Sequence, residues 1–265
     1  MESAFYEQIG EDSFVATQAT IGPWSADAQH GGPPSALAAR ALELHEPDPR
    51  QRLARVCVDI LHPVPIAKLD VRTRMARPGR RVALLEAVME ADGREVLHAR
   101  GWRFERPDGV LPEITDGVPA ESVIEFGGLP PEIFNRQRVG YLTMIEWRFK
   151  EPGAAGHQAP VRGAWARPRI PLLEGEEMSS MSRALLIADS GSGVGAVLPA
   201  TSFTFINTDL TVALQRDPVG DWLLLEASTV IGANGTGLAT TRLADTRGSF
   251  GRGMQTLLVA PLRQP

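Results

Sequence analysis

The sequence predicts an α+β protein made of two tandem copies of one unit. Each unit is a single helix wrapped by an antiparallel sheet, and the two sheets join into one continuous sheet. Three observations carry this. The order of elements repeats, because two short strand-like stretches, a helical run and four longer strand-like runs occur twice. Landmarks inside the repeat recur as well: Val58-Asp59-Ile60 matches Thr208-Asp209-Leu210, and Asp92-Gly93 matches Arg247-Gly248, roughly 150 residues apart. The first helical run, finally, places Ala36, Ala38, Ala39 and Ala41 around Leu37 and Leu42. With so little side-chain bulk on any face, its backbone can approach an enclosing sheet closely.

The elements follow in order. In the first unit, strand-like stretches at 5–9 and 13–20 lead to the turn His30-Gly31-Gly32-Pro33-Pro34 and a helix over 35–45. Alternating strands then span 55–61, 70–76, 82–90 and 95–105. In the second unit, strands at 142–150 and 161–169 precede a helix over 180–188, and strands follow at 202–213, 222–231, 237–244 and 252–260. Between them lie Pro107, Gly109, Pro112, Pro119, Gly127, Gly128 and Pro130, the punctuation of a semi-rigid linker. The chain therefore divides into an N-terminal unit 1–105, a linker 106–138 and a C-terminal unit 139–265.

Composition narrows the function. A chain of 265 residues, 43% hydrophobic and 22% charged, holds a sizeable core. A formal net charge of −5 argues against a surface built to attract nucleic acid. The single cysteine, Cys57, sits in a strand-like run and cannot form a disulfide within the chain. No apolar run reaches membrane-span length, and the N-terminus carries acid where a secretory signal needs Lys or Arg. The expectation is a soluble cytoplasmic protein, with homo-oligomerisation left open.

The motifs of serine hydrolases, zinc proteases and P-loop enzymes are absent, and the five histidines, His30, His45, His62, His98 and His157, show no ligand spacing. Neither a metal nor a cofactor is expected. Asp189 stands out locally: it ends the apolar run Ala184-Leu185-Leu186-Ile187-Ala188 and faces the negative end of a helix dipole, an arrangement that costs about 0.3–1 kcal/mol. It fits a functional site and an exposed Asp bonded to the Gly-rich turn equally well. Asn207 continues the strand face of Phe203 and Phe205, where an amide needs partners or marks a strand end. Gln255 shares its face with Gly251 and Gly253, glycines that leave room for a ligand or mark a bulge. At the first helix start the prolines remove donors, so only Gly31, Gly32 and Ser35 offer backbone N–H groups to an anion.

Taken together, the repeated helix-in-sheet unit, the His30-Gly31-Gly32 turn, Ala188-Asp189, Asn207-Thr208-Asp209 and Gly251-Arg252-Gly253-Met254-Gln255 resemble the acyl-CoA thioesterase II family. The resemblance implies a double hotdog fold and hydrolysis of an acyl-CoA to free acid and coenzyme A. It implies that Asp189 and Gln255 hold and activate the attacking water. The family's Thr or Ser on the intervening strand falls on Asn207, a departure that bears on rate and substrate. Gly31 and Gly32 are the expected substrate-binding positions. Arg77, Arg80 and Arg81 are either contacts for coenzyme A phosphates or a solvated turn.

Two rivals remain at this level. A hotdog hydratase or dehydratase resembles its relatives in an Asp-x-x-x-x-His pair, and Asp27 and His30 have the wrong spacing for it. A non-catalytic acyl or acyl-CoA binding protein would use the same cleft without turnover.

Overall fold

The computed structural model describes residues 2–118, 122, 123, 127–136, 138–150 and 160–262. His157 and Pro119 lie outside the described residues. The N-terminal half runs β1 (Tyr6–Gln8), β2 (Ser13–Ala16), α1 (Gly32–Leu44), β3 (Gln51–Ile60), β4 (Lys68–Arg77), β5 (Val82–Ala91) and β6 (Arg94–Glu105). The second half begins with a helical turn, α2 (Tyr141–Met144), followed by β7 (Ile145–Phe149), β8 (Arg162–Pro168), α3 (Ser180–Ala188) and α4 (Gly191–Val194). It ends with β9 (Phe203–Asn207), β10 (Asp209–Leu214), β11 (Leu223–Ile231), β12 (Thr236–Asp245) and β13 (Gly248–Pro261).

One antiparallel sheet contains these strands in the order β1-β2-β4-β5-β6-β3-β10-β13-β12-β11-β8-β7, with β9 paired to β13 beside β10. The first six positions and the last six mirror one another in topology, and the halves meet where β3 pairs with β10. At that seam Asp59 lies opposite Asp209, the very pair that the internal repeat makes equivalent, so an internal twofold passes between them. Thr211 Oγ1 reaches Cys57 Sγ, 3.2 Å away, across the same seam.

The two helices lie side by side inside the curved sheet. Ala36, Leu37, Ala38, Ala39 and Leu42 of α1 are fully buried, as are Ala184 to Ile187 of α3. Over this buried stretch α1 has no polar face to present, which is what its alanine content expresses, while Arg40 and Glu43 are half-buried and Leu44 is exposed. The hydroxyl of Ser182 donates to the carbonyl of Ala36 at 3.1 Å, tying helix to helix. Each fully buried Leu contributes about 1.5–3 kcal/mol against leaving it in water.

Three boundaries differ from expectation. Helix α1 starts at Gly32 instead of residue 35, because proline is tolerated in a first turn whose N–H groups have no helical partner anyway. Residues 141–144 are helical where a strand was expected to begin at 142; Gly140, at φ 102°, makes the turn into them. The expected strand 202–213 is two strands, since the register against β13 shifts by one residue between Asn207↔Leu257 and Thr211↔Met254. The extra residue at Thr208 bends the strand.

Candidate active site

The site forms where the halves meet, at the N-terminus of α1 and the C-terminus of α3. Asp189 is the C-cap of α3 and only 4% exposed. Its unfavourable place on the helix dipole is offset by donors. Asn207 Nδ2 donates to Asp189 Oδ1 at 2.9 Å, and Gln255 Nε2 approaches the same oxygen at 3.3 Å while donating to the Asp189 carbonyl at 3.0 Å. Asp189 Oδ2 lies 2.9 Å from His30 Nδ1.

His30 Nδ1 is also 3.1 Å from the amide nitrogen of Gly32. One nitrogen cannot donate to the carboxylate and accept from the amide together. Because Oδ1 already takes two N–H groups, the carboxyl serves as the acceptor and the shared proton is assigned to Nδ1. In the neutral tautomer with its proton on Nδ1, Nε2 is the acceptor nitrogen of the ring.

The structure brings Asp189, Asn207 and Gln255 together, with Gly31 beside them: a methyl group on Gly31 would lie 2.9 Å from Asp189 Oδ2. The strand break at Thr208 is what aims Asn207, whose amide also donates to the Asp209 carbonyl at 3.2 Å. Gln255 stands behind the carboxylate instead of lining the cavity. Its Oε1 accepts the Ser192 N–H at 2.9 Å, so one neutral amide bridges the end of α3 and the start of α4. The space beside Gly251 and Gly253 is filled by protein: Gly253 faces Thr241 and Ala188, and Gly251 packs on Leu214 and the Ala213 carbonyl. Those glycines admit a helix and a strand, not a ligand. Gly32 does not line the cavity, and a side chain there would collide with the Leu186 carbonyl.

The cavity beside these groups is about 400 Å³, with Trp24, Val64, Ile133, Phe134, Leu142 and Phe205 among its apolar walls. Trp24 meets Phe205 edge-on, ring centroids 5.0 Å apart. His30, Gly31, Asp189 and Asn207 supply polar groups to an otherwise mostly apolar wall, the arrangement expected of a small-molecule site. Ile133 and Phe134, from the stretch between β6 and α2, form part of the pocket wall. Arg77, Arg80 and Arg81 are not among the lining residues; Arg77 donates to the Val82 carbonyl and Arg80 faces Glu105.

Two residues of the site were not legible beforehand in these roles. His30 was read as part of the helix-opening turn and set aside as a hydratase-type partner of Asp27, and its pairing with Asp189 joins the two halves of the chain. Tyr141 stacks on the His30 ring, centroids 3.8 Å apart and planes 16° from parallel, and carried no local signal. Among the described residues no group of three or more His, Cys, Asp or Glu could hold a metal ion, and no helix is long and apolar enough to cross a membrane.

The sequence matches the model of the acyl-CoA thioesterase C-terminal domain over residues 119–259, more than half of the chain, and that of the N-terminal domain over residues 20–104. The chain belongs to the acyl-CoA thioesterase family. It is a thioester hydrolase. No curated protein matches the sequence. Among solved structures it is similar to a candidate thioesterase II from Thermobifida fusca (15% identity, TM-score 0.75, covering 97% of this chain and 96% of that one). It is also similar to the acyl-CoA thioesterase II TesB2 of Mycobacterium marinum (15%, 0.71, 98% and 97%). A third is a hot dog fold protein from Alicyclobacillus acidocaldarius (15%, 0.73, 97% and 96%). At such identities the likeness speaks for the fold, which is the double hotdog.

Proposed function

We propose that this thioesterase hydrolyses acyl-CoA with a water activated by Asp189. The observation that carries the reading is a buried carboxylate at the wall of an apolar cavity, with both oxygens addressed by named donors and, among the described residues, no Lys or Arg ion pair to it. Water attacks the thioester carbonyl and gives its proton to Asp189; the C–S bond then breaks, and the proton passes to the departing thiolate. Asn207 orients the carboxylate and the water. Gln255 holds Asp189 from behind. Gly31 lines the cavity and its N–H makes no described hydrogen bond, which leaves that group free to serve the carbonyl oxygen as it becomes an oxyanion.

In this reading the division at 1–105, 106–138 and 139–265 is a division of labour. The first part supplies His30 and Gly31, the linker supplies Ile133 and Phe134, and the last supplies Asp189, Asn207 and Gln255.

The His30–Asp189 distance of 2.9 Å supports a second reading, in which His30 Nε2 takes the proton and Asp189 holds the ring. Thiol release from acyl-CoAs ranging from acetyl to palmitoyl tests the activity, and two variants separate the bases. With Asp189 as base, Asp189→Asn lowers turnover by ~10²–10⁴ and His30→Gln by only ~10-fold. Equal losses would favour His30. Acyl-CoA binding with no release at any chain length, and no change on Asp189→Asn, would overturn both.

A further inference from the structure

We propose that Tyr141 is a positioning residue for this reaction, setting the plane of the His30 ring and the end of α3 in one rigid unit. The inference rests on the site reading above. Tyr141 is completely buried. Its hydroxyl donates to the Leu186 carbonyl at 2.7 Å and lies 3.1 Å from Ser190 Oγ, so it grips the last turn of α3 on both sides of Asp189. Its face stacks on His30, and its other neighbour in the core is Phe5, with ring centroids 6.2 Å apart. Its backbone N–H donates to the Ile21 carbonyl at 3.0 Å, on the N-terminal half.

One side chain therefore braces both sides of the His30–Asp189 contact, stacking on His30 and holding the α3 residues that flank Asp189. Burial pushes the phenol well above its ordinary range, so the hydroxyl stays a donor throughout the pH range of an assay. The chain has two tyrosines. The other, Tyr6, donates to Gln29 Oε1 at 2.6 Å, and Gln29 Nε2 donates to the Pro65 carbonyl at 2.7 Å, so the residue before His30 is braced from the opposite end. Without the stack, the imidazole keeps its Nδ1 contact with Asp189 but loses the face that fixes its plane. A displacement near 1 Å at a catalytic contact costs on the order of 10²-fold in rate.

The test compares Tyr141→Phe and Tyr141→Leu with Asp189→Asn, measuring kcat, KM and Tm on the same preparations. Tyr141→Phe keeps the stack and loses the hydroxyl; kcat should fall about 3–10-fold at an unchanged KM. Tyr141→Leu loses both, and kcat should fall ~10²-fold with KM within about 3-fold. Partial rescue by Phe at temperatures well below both Tm values is the signature that lost stability alone would not produce. Should the leucine variant fail to fold, the phenylalanine variant decides by its kcat. Folded variants with wild-type kcat, beside an inactive Asp189→Asn, overturn the role of Tyr141 and spare the site. A wild-type rate for Asp189→Asn as well would overturn the site reading itself.

Discussion

The two ends of the α1–α3 pair are built from the same parts in reverse order, yet they present different groups. At the Asp189 end the start of α1 meets the C-cap carboxylate of α3, and Gln255 from β13 holds the Asp189 carbonyl. At the other end the start of α3, capped by Ser179, meets Glu43 in the last turn of α1. There Arg103 from β6, the topological counterpart of β13, donates to the carbonyls of Leu42, Glu43, His45 and Glu46. Glu43 and Ser179 are among the residues that line a cavity of about 550 Å³ at that end, larger than the one beside Asp189.

Two differences separate the ends. Gln255 is neutral, so it satisfies a helix end without cancelling the charge of the acid beside it. Arg103 brings a full positive charge next to Glu43. In addition, the residue before the helix cap is His30 at one end and Met178 at the other, so no imidazole precedes the cap of α3. The two acids thus stand in different surroundings, with neutral amides and an imidazole beside Asp189 and a guanidinium beside Glu43.

The comparison can be broken or sharpened by experiment. The largest effect should come from removing each acid in turn: Asp189→Asn abolishes most turnover, whereas Glu43→Gln leaves kcat within about 2-fold, measured by thiol release. If Glu43→Gln were as damaging, the second cavity would have to be part of the catalytic machinery. Next, Arg103→Gln should cost about 3 kcal/mol of unfolding free energy, because buried carbonyls and Glu43 lose their partner, while kcat stays near wild type in assays well below Tm.

The acid at the second end also predicts a pH dependence. Burial pushes the Glu43 carboxyl up to about 7, against the pull of the Ser179 hydrogen bond and Arg103, with Asp217 adding to the rise. A carboxyl that holds its proton more tightly when folded stabilises the fold fully below its unfolded value, near 4.5, and that contribution is lost as pH rises through about 7. Urea unfolding should therefore show Glu43→Gln gaining on wild type by about 2–3 kcal/mol between pH 4.5 and 7.5. A gain that appeared only on acidification would refute the assignment. The smallest effect is expected of Asn207→Thr, which restores the hydroxyl that the family resemblance implies and should keep kcat within a few-fold; Asn207→Leu, with no donor for Asp189 Oδ1, should lower it about 10–100-fold.

Much of this architecture was legible because it is written in local patterns. Strand alternation, the apolar helices and the Asp59/Asp209 landmark of the repeat each occupy a few consecutive residues. Asp189 drew attention for a local reason too, an acid at the wrong end of a helix dipole, and Gln255 as a polar residue on an inward strand face. The roles of these residues came with the family resemblance, not with their spacing.

Other features depend on what packs against them. The break at Thr208 exists because β9 and β10 both pair with β13, one residue out of step, and no property of Asn207-Thr208-Asp209 alone reveals it. The glycines beside Gln255 read as ligand space until α3 and β10 occupy it. The sequence by itself determined the repeat, the two helices, the inward strand faces and the isolated acid, because propensity and periodicity act over a few residues. Only the tertiary structure decided that His30 faces Asp189, that Tyr141 spans both and that one end of the helix pair keeps its charge, because those contacts join the two halves of the chain and form only when both have folded around the same seam.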